Sequence, residues 1–494
     1  MTARAPRRER PGARGPAGRF ACLVLTAYCL LFTAARPAGA DYPYGKMRPE
    51  RLKYAPLQFS PPEPVKKTLP NGMTLYLLED HELPLFNAVA YIKVGSIYEP
   101  ADKVGLAALT GTVMRTGGTD ERTGDVIDET LEFVGGSVET EIGAEYGTAS
   151  VSTLQKDAST GLEILAAILR RPAFREEKLE LAKQQTVEVI RRKNDQPAAI
   201  ADRVFAQALY GEESPWAREP TIASIRGITR ADLQAFHARF FAPTNVILAA
   251  AGDLSTDELT RLIERWFGDW ERKPVTLPAV APVPEAVTPG VILVPKEAAQ
   301  ANIRMGHLGI RRHSPDHYAV RVMNYILGLG GFSSRLMREV RNNRGLAYSV
   351  WGWLGEGLDR GAFQMQAETK VESTHAAITA MRETMEGMVR DPVGAQELAL
   401  AREALLNSIV FRYDSRFRIA SDRAYYDLLG YPPDYLATLA ERIAAVKPED
   451  VQRVAREYLH PERMVTVVVA PPEKLGQPLD DLGPVQIKPL QPPE

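Results

Sequence analysis

The stretch Ile228-Thr-Arg-Ala-Asp-Leu-Gln-Ala-Phe-His-Ala-Arg-Phe-Phe-Ala-Pro243 returns later in the chain as Val446-Lys-Pro-Glu-Asp-Val-Gln-Arg-Val-Ala-Arg-Glu-Tyr-Leu-His-Pro461. Equivalent residues of the two copies, such as Asp232 and Asp450, lie 218 positions apart. A chance likeness between two amphipathic helices would not fix so regular a register. The repeat therefore predicts two homologous domains of about 200 residues each, a common size for a single core.

Each copy mixes strand and helix patterns. In the first copy, the turn Asn71-Gly72 precedes an apolar run that ends at Leu78, and a second apolar run spans Phe86 to Val94. These two runs predict neighbouring strands. Long helical patterns follow, for example from Glu176 to Arg192. This order of elements favours an α+β fold: two homologous domains, each a mainly antiparallel sheet covered by helices.

The boundaries follow from composition. Six arginines precede an apolar run from Phe20 to Ala35, and Ala38-Gly39-Ala40 offers a small-x-small cleavage site. The run is shorter than the ~20 residues that cross a bilayer, so we expect export to the periplasm of a Gram-negative bacterium and no permanent membrane span. The predicted organisation is a signal peptide (1–40), an extended N-terminal arm (41–64), a first domain (65–271), a proline-rich linker (272–289), a second domain (290–475) and a proline-rich tail (476–494).

Composition excludes several classes of function. A net charge of −2 over 494 residues argues against a nucleic-acid partner, because such binding depends mainly on clustered Lys and Arg. Both cysteines, Cys22 and Cys29, lie inside the predicted signal peptide. The mature chain would then have no disulfide, no thiolate zinc site and no cysteine nucleophile.

A second informative stretch runs from Leu327 to Tyr348. It predicts a glycine-rich loop, an amphipathic helix and a turn, and the loop residues of interest are Gly328, Gly330, Gly331, Ser333 and Ser334. Glycine permits backbone conformations that a Cβ forbids, and either serine can cap the following helix. The phosphate-binding pattern Gly-x-x-x-x-Gly-Lys-Ser/Thr is absent, so a nucleotide site is not favoured.

The motifs Asn71-Gly72, Val94-Gly-Ser-Ile-Tyr-Glu-Pro100 and Gly105-Leu-Ala107, with Gly330-Gly-Phe-Ser-Ser-Arg-Leu336 and Arg344-Gly-Leu-Ala-Tyr-Ser349, resemble the pitrilysin/insulinase family of zinc metallopeptidases. The chain is most similar to the family's short two-domain branch, which includes mitochondrial processing peptidase and bacterial periplasmic relatives. The resemblance covers residues 64–474.

Active members of that family carry His-x-x-Glu-His on the helix after Gly-Leu-Ala, and a glutamate further along completes the zinc site. The matching positions here are Ala108, Leu109, Thr110, Gly111 and Thr112. Glu188 lies 76 residues after Thr112, at the spacing of the third ligand, but its helix is rich in charged residues and favours a solvated role. We therefore expect Ala108, Gly111 and Thr112 to be degenerate zinc-motif positions and Glu188 to be no more than a vestigial ligand position. We expect this chain to bind no metal or other cofactor.

The resemblance also implies a role for Arg341 and Tyr348. In two-chain members of the family, one subunit holds the zinc and the other supplies an Arg and a Tyr seven residues apart. Arg341 and Tyr348 have this spacing. A Tyr hydroxyl can donate to the oxyanion of a tetrahedral intermediate, and an Arg can hold substrate carbonyls. The alternative is that Arg341 is a surface charge and Tyr348 a half-buried strand aromatic.

The favoured hypothesis is a non-catalytic, substrate-binding subunit of an exported heterodimeric zinc metalloendopeptidase that acts on peptides or unfolded segments. Its partner would be a homologous subunit that bears the zinc motif and the zinc. The alternative is a structural or peptide-binding protein of the same fold without a proteolytic role, like the core subunits of respiratory complexes. A third possibility, an active peptidase with a rearranged metal site, needs ligands that the sequence does not offer.

Overall fold

The computed structural model describes residues 61–492. The predicted signal peptide lies outside these residues, and so does the predicted arm apart from residues 61–64, which have no regular structure. The first half contains β1 (Val65–Thr68), β2 (Thr74–Glu79), β3 (Leu85–Ile92), α1 (Leu106–Thr116), α2 (Gly124–Val134), β4 (Ser137–Ile142), β5 (Gly147–Leu154), α3 (Ala158–Arg170), α4 (Glu176–Arg191), α5 (Pro197–Tyr210), α6 (Ile222–Gly227), α7 (Arg230–Phe240), β6 (Val246–Gly252) and α8 (Thr256–Phe267).

The second half contains β7 (Gly290–Pro295), β8 (Gln300–Leu308), β9 (Ile310–Arg311), α9 (His317–Asn324), β10 (Ala347–Leu354), β11 (Glu356–Gly357), β12 (Ala362–Lys370), α10 (Thr374–Arg390), α11 (Ala395–Arg412), α12 (Arg416–Leu428), α13 (Tyr435–Ala445), α14 (Pro448–Tyr458), β13 (Val465–Ala470) and β14 (Val485–Ile487). Two π-helical segments, Tyr325–Leu329 and Met337–Asn343, lie between α9 and β10. Among residues 61–492, no helix is both long and apolar enough to cross a bilayer.

Two six-stranded sheets share the same topology in five of their six strands. The first has the order β1-β2-β6-β3-β5-β4, and the second β14-β7-β13-β8-β12-β10. Within these two sheets, the parallel pairs are β2 with β6, β13 with β7 and β14 with β7, so both sheets are mainly antiparallel. Apart from the edge strands β1 and β14, the order β2-β6-β3-β5-β4 in the first sheet corresponds to the order β7-β13-β8-β12-β10 in the second. The predicted α+β fold with a duplicated sheet is confirmed.

The repeated sequence stretch has the same local structure in both halves. The backbone N–H of Thr229 donates to the Asp232 carboxylate at 2.8 Å, and the N–H of Lys447 donates to Asp450 at 2.8 Å. Each carboxylate thereby satisfies a free donor at the start of its helix, α7 or α14. Each helix then leads into a fully buried strand, β6 or β13.

The predicted pairing of the first two apolar runs is wrong. The Asn71-Gly72 turn joins β1 to β2, and β6 lies between β2 and β3. All seven residues of β6 are buried, so this strand needs neighbours on both edges and cannot lie at the rim of the sheet. Gly72 adopts a φ of +92°, which its place in the turn requires.

The two halves exchange one helix each. Residues 272–289 form a connection without helix or strand, but α5 from the first half packs on the second sheet, against β8 and β13. Reciprocally, α12 from the second half packs on β2, β3 and β6 of the first sheet. The shared cores contain Ile200, Val204, Phe205, Leu209, Val465, Val467 and Val469 on one side and Leu78, Val89, Ile247, Ile419, Ala424 and Leu428 on the other.

An ion pair accompanies this exchange. Arg304 on β8 is 4% exposed, and its guanidinium contacts the Asp202 carboxylate of α5 at 2.5 and 3.3 Å. The residues predicted as a proline-rich tail also join the second sheet, since β14 pairs in parallel with β7. The halves therefore meet through packed helices as well as through the linker.

Candidate functional site

The predicted glycine-rich loop is largely helical, because Gly328 lies in the π-helical segment Tyr325–Leu329 and Gly331–Ser333 forms a 3-10 turn. Its close contacts leave no room for side chains at two of the glycines. A Cβ on Gly328 would lie 2.3 Å from the backbone N and O of Gly352 in β10, and a Cβ on Gly330 would lie 2.7 Å from the carbonyl oxygen of Tyr325. Gly331 adopts a φ of +56°. Two of these glycines are thus required for close packing and the third for backbone conformation.

Both loop serines are used within the loop. The Ser333 hydroxyl donates to the carbonyl of Gly330 at 2.7 Å, and the buried Ser334 hydroxyl donates to that of Gly331 at 2.8 Å. Ser334 also accepts from the backbone N–H of Met337 at 3.4 Å and so caps the following segment, as the sequence predicted for one of the two serines. Their role in the structure is to fix the loop.

Arg341 and Tyr348 lie side by side. The guanidinium carbon of Arg341 is 4.9 Å from the centroid of the Tyr348 ring, and 80% of Tyr348 is exposed. Three neighbouring arginines are ion-paired: Arg335 with Glu397, Arg338 with Glu339 and Arg344 with Glu383. Arg341 has no carboxylate partner within residues 61–492. Its N–H groups and the Tyr348 hydroxyl are therefore available to a ligand.

Sequence reasoning missed Phe332. Its ring is 69% exposed, and its centroid lies 4.7 Å from the guanidinium carbon of Arg341. An aromatic residue placed between a glycine and a serine, where loops are usually polar, is the signal that could have identified it. Sequence reasoning also missed Trp351 and Trp353, whose rings stack at 4.9 Å with an interplanar angle of 12° on β10. Their signal is the two-residue spacing, which places both rings on the same face of a strand.

The degenerate zinc positions lie on α1. The side chains of Ala108 and Thr112, one helical turn apart, are exposed, but neither can bind a metal as an imidazole does. Gly111 lies against β4: Thr140 donates from its hydroxyl to the Gly111 carbonyl at 2.6 Å, and a Cβ on Gly111 would lie 2.8 Å from the nitrogen of Ile142. No catalytic side chain fits at Gly111 without a shift of β4.

A buried carboxylate orients this helix. Glu99 is 6% exposed and accepts from the backbone N–H groups of Gly105 at 3.1 Å and Ala107 at 3.0 Å. Burial raises the pKa of Glu99, and these backbone donors oppose the rise. The Gly-Leu-Ala segment therefore serves as the capped start of α1.

Glu188, the vestigial ligand position expected from the sequence, is paired with an arginine of its own helix. It is exposed on α4, a helix that packs alongside α1, and its carboxylate contacts the Arg191 guanidinium at 2.5 Å. Across the part of the chain that the structure describes, no group of three His, Cys, Asp or Glu side chains is placed to hold a metal ion. His317, which follows His313 by four residues in the sequence, contacts Glu356 at 2.7 Å and Tyr435 at 2.8 Å. His313 precedes α9 and has a φ of +66°. The residues at the zinc positions do not fit a zinc ion.

Arg341 and Tyr348 together offer hydrogen-bond donors. The hydroxyl of Tyr348 and the N–H groups of Arg341 can hold carbonyl or carboxylate oxygens, and the exposed rings can contact apolar side chains. The first half contributes no nucleophile or general base at its degenerate positions. The donors and the exposed rings around Arg341 suit the binding of a polypeptide.

Comparisons with known proteins agree with this architecture. The family model described as "Insulinase (Peptidase family M16)" matches residues 78–215, and the model described as "Peptidase M16 inactive domain" matches residues 227–405. An uncharacterized zinc protease of Bacillus subtilis is 26% identical over 408 residues, which cover 82% of this chain and 97% of the relative. A probable mitochondrial-processing peptidase subunit beta of Arabidopsis thaliana is 25% identical over 433 residues, covering 84% and 80% of the two chains.

Solved structures share the fold. The peptidase M16 inactive domain from Pseudomonas fluorescens superposes with a TM-score of 0.77 at 24% identity and covers 84% of this chain and 100% of its own. A protease from Helicobacter pylori superposes with a TM-score of 0.76 at 18% identity, covering 83% and 100%. At these identities the superpositions show a common architecture.

Proposed function

Because the chain belongs to the insulinase family, peptidase family M16, we propose that it is the non-catalytic, substrate-binding subunit of an exported heterodimeric zinc endopeptidase. The substrates would be peptides or unfolded segments. One observation carries the proposal: Ala108, Gly111 and Thr112 supply neither a ligand nor a base, whereas Arg341 and Tyr348 stand together with free donors.

In this proposal the chain's residues act on the transition state. The partner subunit would hold the zinc and the general base, which together would supply the activated water. The Tyr348 hydroxyl donates a hydrogen bond to the oxygen that becomes negative when water adds to the scissile carbonyl. Arg341 donates from its in-plane N–H groups to flanking carbonyls of the substrate and holds the peptide in register. Neither residue needs a metal of its own.

The proposed cellular location is supported by the sequence of residues 1–40, whose arginines, apolar run and small-x-small motif match the pattern of a secretory signal. An exported endopeptidase would meet unfolded segments and peptides outside the cytoplasm. The proposal therefore includes a periplasmic site of action.

The first experiment isolates the complex. A tagged chain purified from the cell envelope is expected to bring with it a homologous subunit with His-x-x-Glu-His, and the complex should cleave an unstructured peptide until a chelator is added. The chain alone should not cleave it. Chelator-sensitive hydrolysis by the purified chain alone would contradict this division of labour. If no such partner exists in the genome, the structural or peptide-binding alternative becomes the better account.

The second experiment tests the two residues within the complex. Tyr348→Phe removes one oxyanion donor and should lower kcat by about 100-fold or more. Arg341→Ala removes charged hydrogen bonds and should lower kcat/KM by about tenfold or more. Arg338→Ala, in the same segment but paired with Glu339 at 3.7 Å, is the matched control. Full activity of both the Tyr348 and Arg341 variants would refute their assigned roles.

A further inference from the structure

Phe332 is an apolar ring that the fold holds in solvent. It is 69% exposed, yet its backbone is fixed on both sides by the positive φ of Gly331 and by the hydroxyl of Ser333, which donates to Gly330. The ring packs on neither hydrophobic core. Its close neighbour is the Arg341 guanidinium, 4.7 Å from the ring centroid. A rigid loop therefore presents this ring to the same guanidinium that Tyr348 contacts.

The two rings leave the donors of Arg341 unused. A cation–π contact engages the ring face and the positive charge, and it supplies no acceptor for the N–H groups. Within residues 61–492, Arg341 makes no side-chain hydrogen bond. The contacts at 4.7 and 4.9 Å therefore restrict the guanidinium while its donors stay free. This is the arrangement of a pre-organised binding group, since less side-chain freedom remains to be lost when a ligand arrives.

Further rings continue from this point along β10. Val350 and Leu354 belong to the second core, so Trp351 and Trp353 project from the opposite face of the strand. Ala347 pairs with Thr369 and Val350 with Ala367, so β10 contains one extra residue between these pairs. Such a bulge lets Ala347 and Val350 both face the core while Tyr348 stands on the face of the tryptophans. Trp351 is 38% exposed and stacks on Trp353.

Building on the proposed function, we propose that Phe332 is a further substrate-binding residue and that Phe332, Arg341, Tyr348 and Trp351 form one continuous binding surface. Phe332 and Tyr348 position the guanidinium, and Arg341 holds a carbonyl or carboxylate oxygen of the substrate. The indole of Trp351 takes an aromatic or large apolar side chain beside that oxygen. The ligand class is an extended polypeptide that carries an aromatic residue.

Two fluorescein-labelled unstructured peptides, which differ only in a central Phe or Ser, test this surface by fluorescence anisotropy with the chain alone and with its co-purified partner. The wild-type protein should bind the Phe peptide more tightly, and Trp351→Ala should remove this preference. Phe332→Leu keeps an apolar side chain but no ring and should weaken binding about two- to fivefold, whereas Phe332→Tyr should restore it. Phe133→Leu changes a 92% exposed ring elsewhere and is the matched control.

A double-mutant cycle separates positioning from general packing. In an Arg341→Met background, Phe332→Leu should cause no further loss, because the ring acts through the guanidinium. Unchanged binding by Phe332→Leu, an equal loss in both backgrounds, or equal affinity of the wild type for the two peptides would overturn this inference and leave the proposed function standing. Failure of the wild type and its complex to bind either peptide would overturn both.

Discussion

Phe205→Ala tests the exchange of helices between the halves. Phe205 lies on α5, is 3% exposed and belongs to the core that α5 shares with the second sheet. The tip of its ring fills the space above Gly306 of β8, where a Cβ would lie 2.9 Å from the Phe205 Cζ atom. The substitution leaves a cavity between a helix of the first half and a sheet of the second half.

Loss of a buried Phe side chain costs about 3–5 kcal/mol. At about 1.4 kcal/mol for each tenfold change, amides protected by this packing should exchange about two to three and a half orders of magnitude faster. Hydrogen exchange followed by mass spectrometry should show the change in β8 and β13 of the second sheet, although residue 205 belongs to the first half of the chain.

The control is Phe133→Ala, an equal chemical change at the end of α2 on a ring that is 92% exposed. It should alter stability by no more than about 0.5 kcal/mol. If Phe205→Ala increased exchange only in the first sheet, or cost less than about 1 kcal/mol, the exchanged packing of α5 would be refuted.

Three further predictions concern charge. Asp202→Asn leaves the buried Arg304 without its carboxylate and should lower the free energy of unfolding in urea by about 2 kcal/mol; the exposed Glu212→Gln should change it by less than about 0.5 kcal/mol. Burial lowers the pKa of His307 from its ordinary value to about 4, so its neutral form stabilises the fold fully above pH 6.5. The free energy of unfolding should fall by about 3 kcal/mol as the pH falls from about 6.5 to 4. In urea titrations, the free energy of unfolding of His307→Gln should fall less over the same pH range, and an equal fall in the variant and the wild type would contradict this. Glu188→Gln removes an exposed ion pair and should shift the unfolding free energy by at most about 0.5 kcal/mol, with full activity in the complex; a large loss of activity would give Glu188 a role that its surroundings do not suggest.

The duplication could be predicted because the two halves still share a similar stretch of sequence at a constant spacing. The spacing of Asp232 and Asp450 marks equivalent helix starts, and the buried strands β6 and β13 follow them. The strand order could not be predicted from the sequence, because the continuous apolar run of β6 indicates only that this strand has a neighbour on each side. Local pattern cannot tell that these are β2 and β3.

The exchange of α5 and α12 between the halves could not be predicted from the sequence either. Each helix has an apolar face, and that face looks the same whichever sheet it covers. At the site, the spacing of Arg341 and Tyr348 was informative since a helical segment followed directly by a strand brings the two together. The contact with Phe332 depends on the backbone angle at Gly331 and on two serine hydroxyls, which residue types alone do not specify.

The exchanged helices also constrain how the chain reaches its native state. One face of the first sheet is covered by α12, yet α12 begins at Arg416, 164 positions after Gly252, the end of β6. The apolar side chains on that face stay uncovered until most of the second half has been synthesised. Contacts so distant in sequence make folding slow and expose the unfinished sheet to aggregation. A chain truncated at the linker would lack this cover, so neither half is expected to fold as a stable protein when expressed alone.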